Sequence, residues 1–335
     1  MVKLYIGWKR LINTYMNNFK KNINGNPEFG LELTLTLPYA YYLHLNNKLG
    51  KVTTVKGMKP FYFFTDNVEE VYNNRSLDNN VALKDVPNKW IHHNAYALTG
   101  KEYNELTDGE KLKVNGVLDY TEWTPPPLKE HYLKNSEIDL NNKFIVICNR
   151  FNLEHGRFPR GYFDIPVLQD IFQYLKDTGY TVIYKRPENN EFPLDYNETS
   201  DIIKTHGIKA QDENGNIVDD KQVCKMYSNV ILFDDLHKKY SHLSYNIFQL
   251  QLFSKSSGFI SMGGGNSLLS CYFNVPVVSY FTTTKEMREN YFNENSYYRK
   301  LSNCEFYPIK DPEKDIEKRG ERDYNELLKV MYQVF

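Results

Sequence analysis

The second half of the chain alternates short apolar runs with longer segments whose apolar residues recur at helical spacing. The runs are rich in Val, Ile, Phe and Tyr, which is typical of strands buried on both faces of a parallel sheet. Strands are predicted at 143–149, 180–184, 229–233, 258–262 and 275–280. Helices are predicted at 166–178, 245–256 and 323–335, and one more begins at 267. This alternation predicts an α/β fold in which right-handed crossovers join parallel strands.

The first half of the chain is less regular. Residues 58–65 contain four consecutive aromatic residues and predict a buried strand, while the apolar stretch 33–45 predicts a turn that opens a helix. Five Lys and Arg residues and no acid precede Glu28, and apolar residues recur among them at helical spacing, which predicts an amphipathic basic helix. Two interpretations stay open: peripheral membrane contact through residues 1–24, and packing of the helix on its own domain.

Three consecutive prolines, Pro125, Pro126 and Pro127, mark the clearest break in the pattern. Proline lacks a backbone N–H, so it is excluded from helix interiors and central strands. The polar segment that follows reaches residue 142, and a domain boundary is therefore predicted within 125–140. A length of 335 residues also suits two domains.

Charge and composition exclude several classes of protein. The 41 Lys and Arg residues balance 42 Asp and Glu residues, which argues against a mainly electrostatic nucleic-acid binder, so nucleic acid is not an expected partner. No apolar run approaches the roughly 18 residues of a membrane-spanning helix, and the N-terminus lacks the apolar core of a signal peptide. The four cysteines lack metal-ligand spacing and predict buried free thiols. We therefore expect a soluble, cytoplasmic protein.

A glycine-rich turn, Gly263-Gly264-Gly265-Asn266-Ser267, joins the strand 258–262 to the next helix. Glycines expose backbone N–H groups and permit close approach of a ligand. Ser267 can cap the helix, and helix N-termini favour phosphate. The turn is neither a GxGxxG motif nor a P-loop, because no Lys follows the glycines. It predicts a phosphate-binding loop, and a tight connection without a ligand is the alternative.

Charged residues follow the other strands at the same sheet edge. Arg150 follows the first strand of this sheet, Lys185 and Arg186 follow the second, and Asp234 and Asp235 follow the third. Ligands of open parallel sheets bind beyond the carboxyl ends of the strands, where an Arg can contact a diphosphate through two hydrogen bonds. Three polar residues on one helix face are candidates for a sugar or base contact, with core packing or capping as the alternative: Tyr245, Asn246 and Gln249.

Three residues are candidate general bases: Glu154, His155 and Glu32. Glu154 and His155 lie in the loop that follows Arg150, and Glu32 lies close to Gly30 in the first half. A positioned carboxylate or imidazole can accept a proton near neutral pH. Ordinary loop polarity is the alternative for the first two.

The segment FISMGGGNSLLSCYFNVPVVSY resembles the strand, Gly/Ser turn, helix and strand of heptosyltransferase-like and O-fucosyltransferase-like glycosyltransferases with the GT-B fold. The resemblance extends over about 143–280 and implies an α/β chain of two Rossmann-like parallel-sheet domains that face a cleft. It implies an acceptor-binding domain over 1–130, a donor-binding domain over 131–318 and a C-terminal helix over 319–335 that packs back on the first domain. The implied donor contacts are Arg150, Gly264, Gly265, Asn266 and Ser267, with Asp234 and Asp235 near the nucleoside.

The implied activity is transfer of a hexosyl, pentosyl or deoxyhexosyl group from a UDP- or GDP-sugar to a glycan or another hydroxyl acceptor. A single base suffices for inversion, and arginine and backbone amides can replace a metal ion. We therefore expect an inverting, metal-independent enzyme without a cofactor. Two alternatives stay open: a metal-dependent GT-A transferase that uses Asp234 and Asp235, and a protein that binds nucleotides or glycans without catalysis.

Overall fold

The computed structural model describes residues 20–76, 78–87, 123–140, 142–150, 162–186, 208–211, 215–282, 297–311 and 322–335. These residues form a mixed α/β structure with a three-stranded parallel sheet in the first half and a six-stranded parallel sheet in the second. The α/β class and the parallel sheet predicted for each half are confirmed.

The first sheet consists of β1 (Lys21–Asn24), β2 (Leu49–Val55) and β3 (Val68–Tyr72), paired in that order. Helix α1 joins β1 to β2 and has three parts: α-helical Phe29–Leu31, π-helical Glu32–Thr36 and α-helical Leu37–Leu45. A 3-10 helix, Lys59–Tyr62, lies between β2 and β3, and a short helix α2 (Asn79–Ala82) follows β3.

The π-helical part of α1 has a local cause in Pro38, which lacks the N–H that would bond to a carbonyl of the preceding turn. Carbonyls of that turn accept hydrogen bonds from outside the helix instead. The Tyr272 hydroxyl donates to the Leu33 carbonyl at 2.6 Å, and Trp123 Nε1 donates to the Thr34 carbonyl at 2.8 Å. Both bonds are buried, so they satisfy carbonyls that water cannot reach and attach α1 to distant parts of the chain.

Two predictions for the first half are wrong. The aromatic run at 58–65 contains a 3-10 helix rather than a strand, because Gly57 turns the chain at φ +86° and Pro60 cannot donate to a strand ladder. Lys21–Asn24 form a strand instead of the end of a basic helix, and the buried Ile23 packs beside β2. Residues 1–19 lie outside the described residues, so the amphipathic helix and its membrane contact stay predictions.

The second half contains, in chain order, α3 (Leu128–Lys134), β4 (Phe144–Cys148), α4 (Ile165–Asp177), β5 (Thr181–Lys185), β6 (Lys209–Gln211), β7 (Ile217–Asp219), α5 (Asp220–Cys224), β8 (Val230–Leu232), α6 (Phe233–Lys239), α7 (Tyr245–Ser254), β9 (Gly258–Met262), α8 (Gly265–Ser270), β10 (Val277–Phe281), α9 (Tyr297–Lys300), β11 (Phe306–Lys310) and α10 (Asn325–Val334). A 3-10 turn, Cys271–Phe273, extends α8. The sheet has the strand order β11-β10-β9-β4-β5-β8, and β6 pairs antiparallel with β7. The five predicted strands are confirmed with small shifts at their ends, whereas the prediction omits β11.

The six-stranded sheet is covered on both faces, as the unbroken apolar runs require. Ile147 and Ile260 belong to the core beneath α4, α5 and α10. Val146 and Phe259, their neighbours in sequence, point to the opposite face and pack towards α7, α8 and the first half. The result is a three-layer arrangement of helices, sheet and helices.

The two halves of the chain share one hydrophobic core. Val52 of the first sheet belongs to the same buried cluster as Phe253 and Phe259 of the second half. The Tyr132 hydroxyl of α3 also donates to the Pro60 carbonyl at 2.6 Å, across the same junction. These contacts hold the halves together, while the division at residue 130 stays a prediction.

Helix α10 packs on the six-stranded sheet and not on the first domain, so that prediction is wrong. Its fully buried residues Leu327 and Met331 lie in the core beneath α4, and the Tyr174 hydroxyl donates to the Tyr332 carbonyl at 3.2 Å. The physical reason is an amphipathic face that matches the nearest apolar surface, beside β10 and β11. Neither α10 nor any other helix of the described residues has the length and apolar character needed to cross a membrane.

The four cysteines are buried free thiols, which confirms the prediction from their spacing. Burial raises the pKa of Cys148 to about 11 and raises the pKa values of Cys224 and Cys271 as well. Cys304 differs, because a hydrogen bond with Cys271 lowers its pKa, helped by Ser302. Since the thiolate is the reactive form, we expect Cys304 to be the most reactive of the four.

We expect iodoacetamide at pH 8 to label Cys304 first in the folded protein. Cys304 is 7% exposed, whereas the other three thiols are at most 1% exposed, and a pKa near 11 leaves only about one Cys148 in a thousand as thiolate. Peptide mass spectrometry at successive times measures the order in which the cysteines are labelled. Protein in denaturant is the control, in which all four cysteines react. Labelling of Cys148 as fast as Cys304 would contradict this assignment.

Candidate functional site

The strand order of the second sheet indicates the edge at which a ligand is expected. From β4 the chain continues to β5 and β8 on one side, and then to β9, β10 and β11 on the other. In open parallel sheets, ligands bind beyond the carboxyl ends of the strands at the point where the order reverses. That point lies between β4 and β9. Arg150 follows β4 and the glycine-rich turn follows β9, so both flank it.

Strand register aligns these residues. Cys148 of β4 pairs with Lys185 of β5 on one side and with Ser261 of β9 on the other. Arg150 and Gly263 therefore lie equally far beyond the same row. Because side chains alternate along a strand, Lys185 points to the face that the first half covers, as Cys148 does.

Arg150 lies directly against the glycine-rich turn. A Cβ atom added to Gly264 would come within 2.6 Å of Arg150 Nη1, and Gly264 has a φ of +119°, which L side chains rarely adopt. The neighbouring Asn149 fixes the start of this loop, since its Oδ1 accepts hydrogen bonds from the backbone N–H groups of Arg150 and Phe163, both at 2.9 Å. The guanidinium thus has a defined place at the switch point.

Lys185 supplies a second cation at the same turn. Its Nζ donates to Asn266 Oδ1 at 2.7 Å, and the side chain is buried beside the rings of Phe233 and Tyr245, whose centroids are each 5.9 Å from Nζ. A guanidinium, an ammonium and a glycine turn in one place suit an anion with several oxygen atoms, such as a diphosphate.

Two residues of the turn pack against β10. The buried Ser267 hydroxyl bonds to Ser279 Oγ at 2.6 Å and does not cap α8, whose N-cap residue is Gly264. A side chain at Gly263 would overlap the ring of Phe281. The prediction of Ser267 as a helix cap is therefore wrong, while its donor contact stays a prediction.

Arg186 forms an ion pair with a carboxylate on the face of the sheet opposite to Lys185. Its Nε lies 2.5 Å from Asp220 Oδ2 and its Nη2 lies 2.8 Å from Asp220 Oδ1, in a pair whose side chains are 5% and 0% exposed. The Tyr184 hydroxyl donates to the same carboxylate. The structure thus separates Arg186 from Lys185, because adjacent residues of a strand point to opposite faces, and Arg186 does not join the cations at the glycine-rich turn.

Asp234 and Asp235 lie in the first turn of α6, beyond the edge strand β8, and are paired with lysines. Lys221 Nζ lies 2.6 Å from Asp234 Oδ2, and Lys238 Nζ lies 2.7 Å from Asp235 Oδ1. The hydrogen bond from Lys238 is the main cause of a lowered Asp235 pKa. In the part of the chain that is described, no group of three or more His, Cys, Asp and Glu side chains could hold a metal ion.

The polar face of α7 connects the two halves. Asn246 Nδ2 donates to the Gly57 carbonyl at 2.7 Å, and the buried Gln249 Nε2 donates to Asn246 Oδ1 at 3.4 Å. Tyr245 lies beside Lys185. Of the three predicted contacts, Tyr245 is thus adjacent to the cations, whereas Asn246 and Gln249 join α7 to the loop after β2.

Glu32 is fully buried in the first turn of the π-helical part of α1. Its Oε1 accepts hydrogen bonds from Thr54 Oγ1 at 2.5 Å and from the Tyr62 hydroxyl at 2.9 Å, and its Oε2 accepts from Arg75 Nη1 at 2.6 Å. Burial is the main reason that the Tyr62 pKa is raised, followed by the charge of Glu32. The other candidate bases, Glu154 and His155, lie outside the described residues.

The first half forms the opposite wall of the site with residues that the sequence analysis omitted. Phe29 follows β1 and its ring lies against Gly265, while the Gly57 carbonyl follows β2 and accepts from Asn246. Arg75 follows β3 and lies over Phe29. The carboxyl ends of both sheets therefore face each other. Of these residues, only Phe29 could have been noticed in the sequence, because it is next to Gly30.

A cavity of about 330 Å³ lies at the opposite edge of the second sheet. Its lining includes Pro126, Glu130, Asn274 and Arg299, and Asn274 precedes β10. The cavity is therefore at the amino-terminal edge and separate from the switch point.

No family model and no curated protein sequence matches this chain. Several solved structures are similar to it in fold. The chain aligns with Escherichia coli heptosyltransferase WaaC with ADP at 10% identity and a TM-score of 0.39, over 98% of this chain and 78% of the other. It aligns with a family 9 glycosyl transferase from Veillonella parvula at 10% identity and a TM-score of 0.47, over 94% and 97% of the two chains.

A third is Escherichia coli ADP-heptose LPS heptosyltransferase II, at 10% identity and a TM-score of 0.44, over 87% of this chain and 90% of the other.

Proposed function

We propose that this chain is a glycosyltransferase that moves a sugar from a nucleotide-diphosphate donor to a hydroxyl acceptor. The observation that carries the proposal is the meeting of Arg150 and Lys185 on the glycine-rich turn, at the switch point of the second sheet. Cleavage of the bond between sugar and diphosphate leaves negative charge on the diphosphate. Two cations fixed at that place before reaction stabilise the charge as it develops.

The proposal gives each of the two substrates to one half of the chain. The donor diphosphate occupies the turn after β9, beside Arg150 and Lys185, and the nucleoside lies towards Tyr245. The transferred sugar and the acceptor then lie towards the wall formed by the first half, near Phe29. In this arrangement Arg150 and Lys185 supply the positive charge that a metal ion provides in other transferases, so the reaction proceeds without one.

The acceptor hydroxyl loses a proton as it attacks the sugar, and a single base in the cleft suffices for inversion. Glu32, Glu154 and His155 are the candidates. Glu32 already lies behind the cleft wall, but it must exchange Thr54 or Tyr62 for the substrate hydroxyl, since these donors occupy its Oε1. Replacing the true base with Gln or Ala lowers kcat by about 10²–10⁴-fold with an unchanged Kd for the nucleoside diphosphate.

The experiment that tests the function screens the purified chain against UDP-, GDP- and ADP-sugars by thermal shift. A donor at 100 times its Kd adds about 2.7 kcal/mol to the free energy of unfolding. Release of the nucleoside diphosphate from that sugar nucleotide, with and without EDTA, then measures turnover and its metal dependence. Stabilisation by one sugar nucleotide with EDTA-insensitive turnover supports the proposal. Loss of turnover in EDTA contradicts the metal-free reaction, and absence of any stabilisation contradicts the function.

A further inference from the structure

The three glycines of the turn have no side chains of their own, so the groups packed on them set its shape. Phe281 lies on Gly263, Arg150 on Gly264 and Phe29 on Gly265, where an added Cβ would come within 2.7 Å of Phe29 Cδ1. The first two groups belong to the second half of the chain. The third, Phe29, belongs to the first half and comes from the start of α1.

Phe29 is itself held in place by Arg75. The Arg75 guanidinium lies over the Phe29 ring, with Cζ 5.2 Å from its centroid, and Phe61 packs edge-on at a centroid distance of 5.8 Å. Arg75 Nη1 also donates to the Pro27 carbonyl at 2.7 Å, two residues before Phe29, and to Glu32 at 2.6 Å. Arg75 thus fixes both the ring and the backbone that carries it.

We propose that Arg75 and Phe29 are positioning residues for the donor diphosphate: the ion pair with Glu32 holds Arg75, Arg75 holds Phe29, and Phe29 holds the glycine-rich turn in the shape that receives phosphate oxygens. This inference rests on the proposed function, since it assigns the turn to a diphosphate. It predicts that a change in the first half weakens diphosphate binding at a turn of the second half, without contact between the altered residue and the ligand.

The test measures Kd values by isothermal titration of UDP, GDP and ADP, and compares each with its nucleoside by competition. Phe29→Ala raises the Kd of the nucleoside diphosphate that binds the wild type at least tenfold, or 1.4 kcal/mol at 25 °C, and leaves the nucleoside Kd unchanged. Phe29→Tyr keeps the ring and stays within about twofold of the wild type. Arg75→Lys keeps the charge beside Glu32 but loses the flat group over the ring, and raises the Kd about threefold.

Leu327→Ala is the matched control, because it removes a fully buried side chain on the far side of the second sheet. It destabilises the fold without changing the ratio of nucleoside to diphosphate Kd values. The inference is overturned if Phe29→Ala weakens the binding of nucleoside and nucleoside diphosphate equally, or if it leaves the diphosphate Kd unchanged. The proposed function stands in either case. If the wild type binds none of the three diphosphates, the proposed function itself fails.

Discussion

Replacing Asp220 with alanine is expected to lower the free energy of unfolding by about 3–5 kcal/mol. The carboxylate is fully buried and accepts hydrogen bonds from Arg186 Nε and Nη2 and from the Tyr184 hydroxyl. Its loss leaves a guanidinium that is 5% exposed without its counter-charge. Removing one partner of a buried ion pair costs far more than the pair contributes, because the remaining charge stays away from water.

Urea denaturation of the Asp220→Ala protein measures this loss. The double variant Asp220→Leu/Arg186→Met is the control, since it removes both charges and should recover most of the stability. Nucleoside diphosphate affinity should change little in either variant, because the pair lies on the opposite face of the sheet from Lys185. A loss below about 1 kcal/mol, the range of an exposed ion pair, would show that the pair is not buried in solution.

Gly264→Ala is expected to raise the Kd for the nucleoside diphosphate about 100-fold, which is 2.7 kcal/mol. The φ of +119° at Gly264 strains any L side chain, and the new Cβ would lie 2.6 Å from Arg150 Nη1. Arg150 must then leave the turn, or the turn must change shape. Either response separates a cation from the place that the phosphates occupy.

Gly179→Ala is the matched control for backbone strain. Gly179 has a φ of +81°, but a Cβ atom there meets nothing within 4 Å. Both variants should lose about 1–3 kcal/mol of stability, and only Gly264→Ala should lose affinity in isothermal titration. The same Kd for Gly264→Ala and the wild type would contradict the position assigned to the phosphates.

The second half of the fold was readable from the sequence because its strands are buried on both faces. Runs such as the one at Phe144–Cys148 are wholly apolar and short, and few structures other than a covered parallel strand accommodate them. The strands of the first sheet could not be recognised in this way. Its strand Val68–Tyr72 carries the exposed Glu69 and the half-buried Glu70, and Lys21–Asn24 has a single fully buried apolar residue, so neither differs from a loop by composition.

The part of the candidate site that lies at strand ends could be predicted from the sequence. The part that depends on residues far apart in sequence could not. Arg150 and Lys185 follow directly from the ends of β4 and β5. The sequence alone could have separated Arg186 from Lys185, because adjacent residues of a strand point to opposite faces of the sheet. Phe29 and Arg75 reach the turn through contacts between residues far apart in sequence, such as Arg75 and Glu32, which are 43 positions apart. Local patterns carry no information on such pairs.

The central claim is that the turn after β9 binds a diphosphate with the help of Arg150. Its most direct test is the affinity of UDP, GDP and ADP, each relative to its nucleoside, for the wild type and for Arg150→Ala. Lys329→Ala, on the exposed surface of α10, controls for the change in net charge. We predict that the wild type and Lys329→Ala bind one diphosphate far more tightly than its nucleoside, and that Arg150→Ala loses this preference. An equal preference in Arg150→Ala and the wild type would contradict the claim.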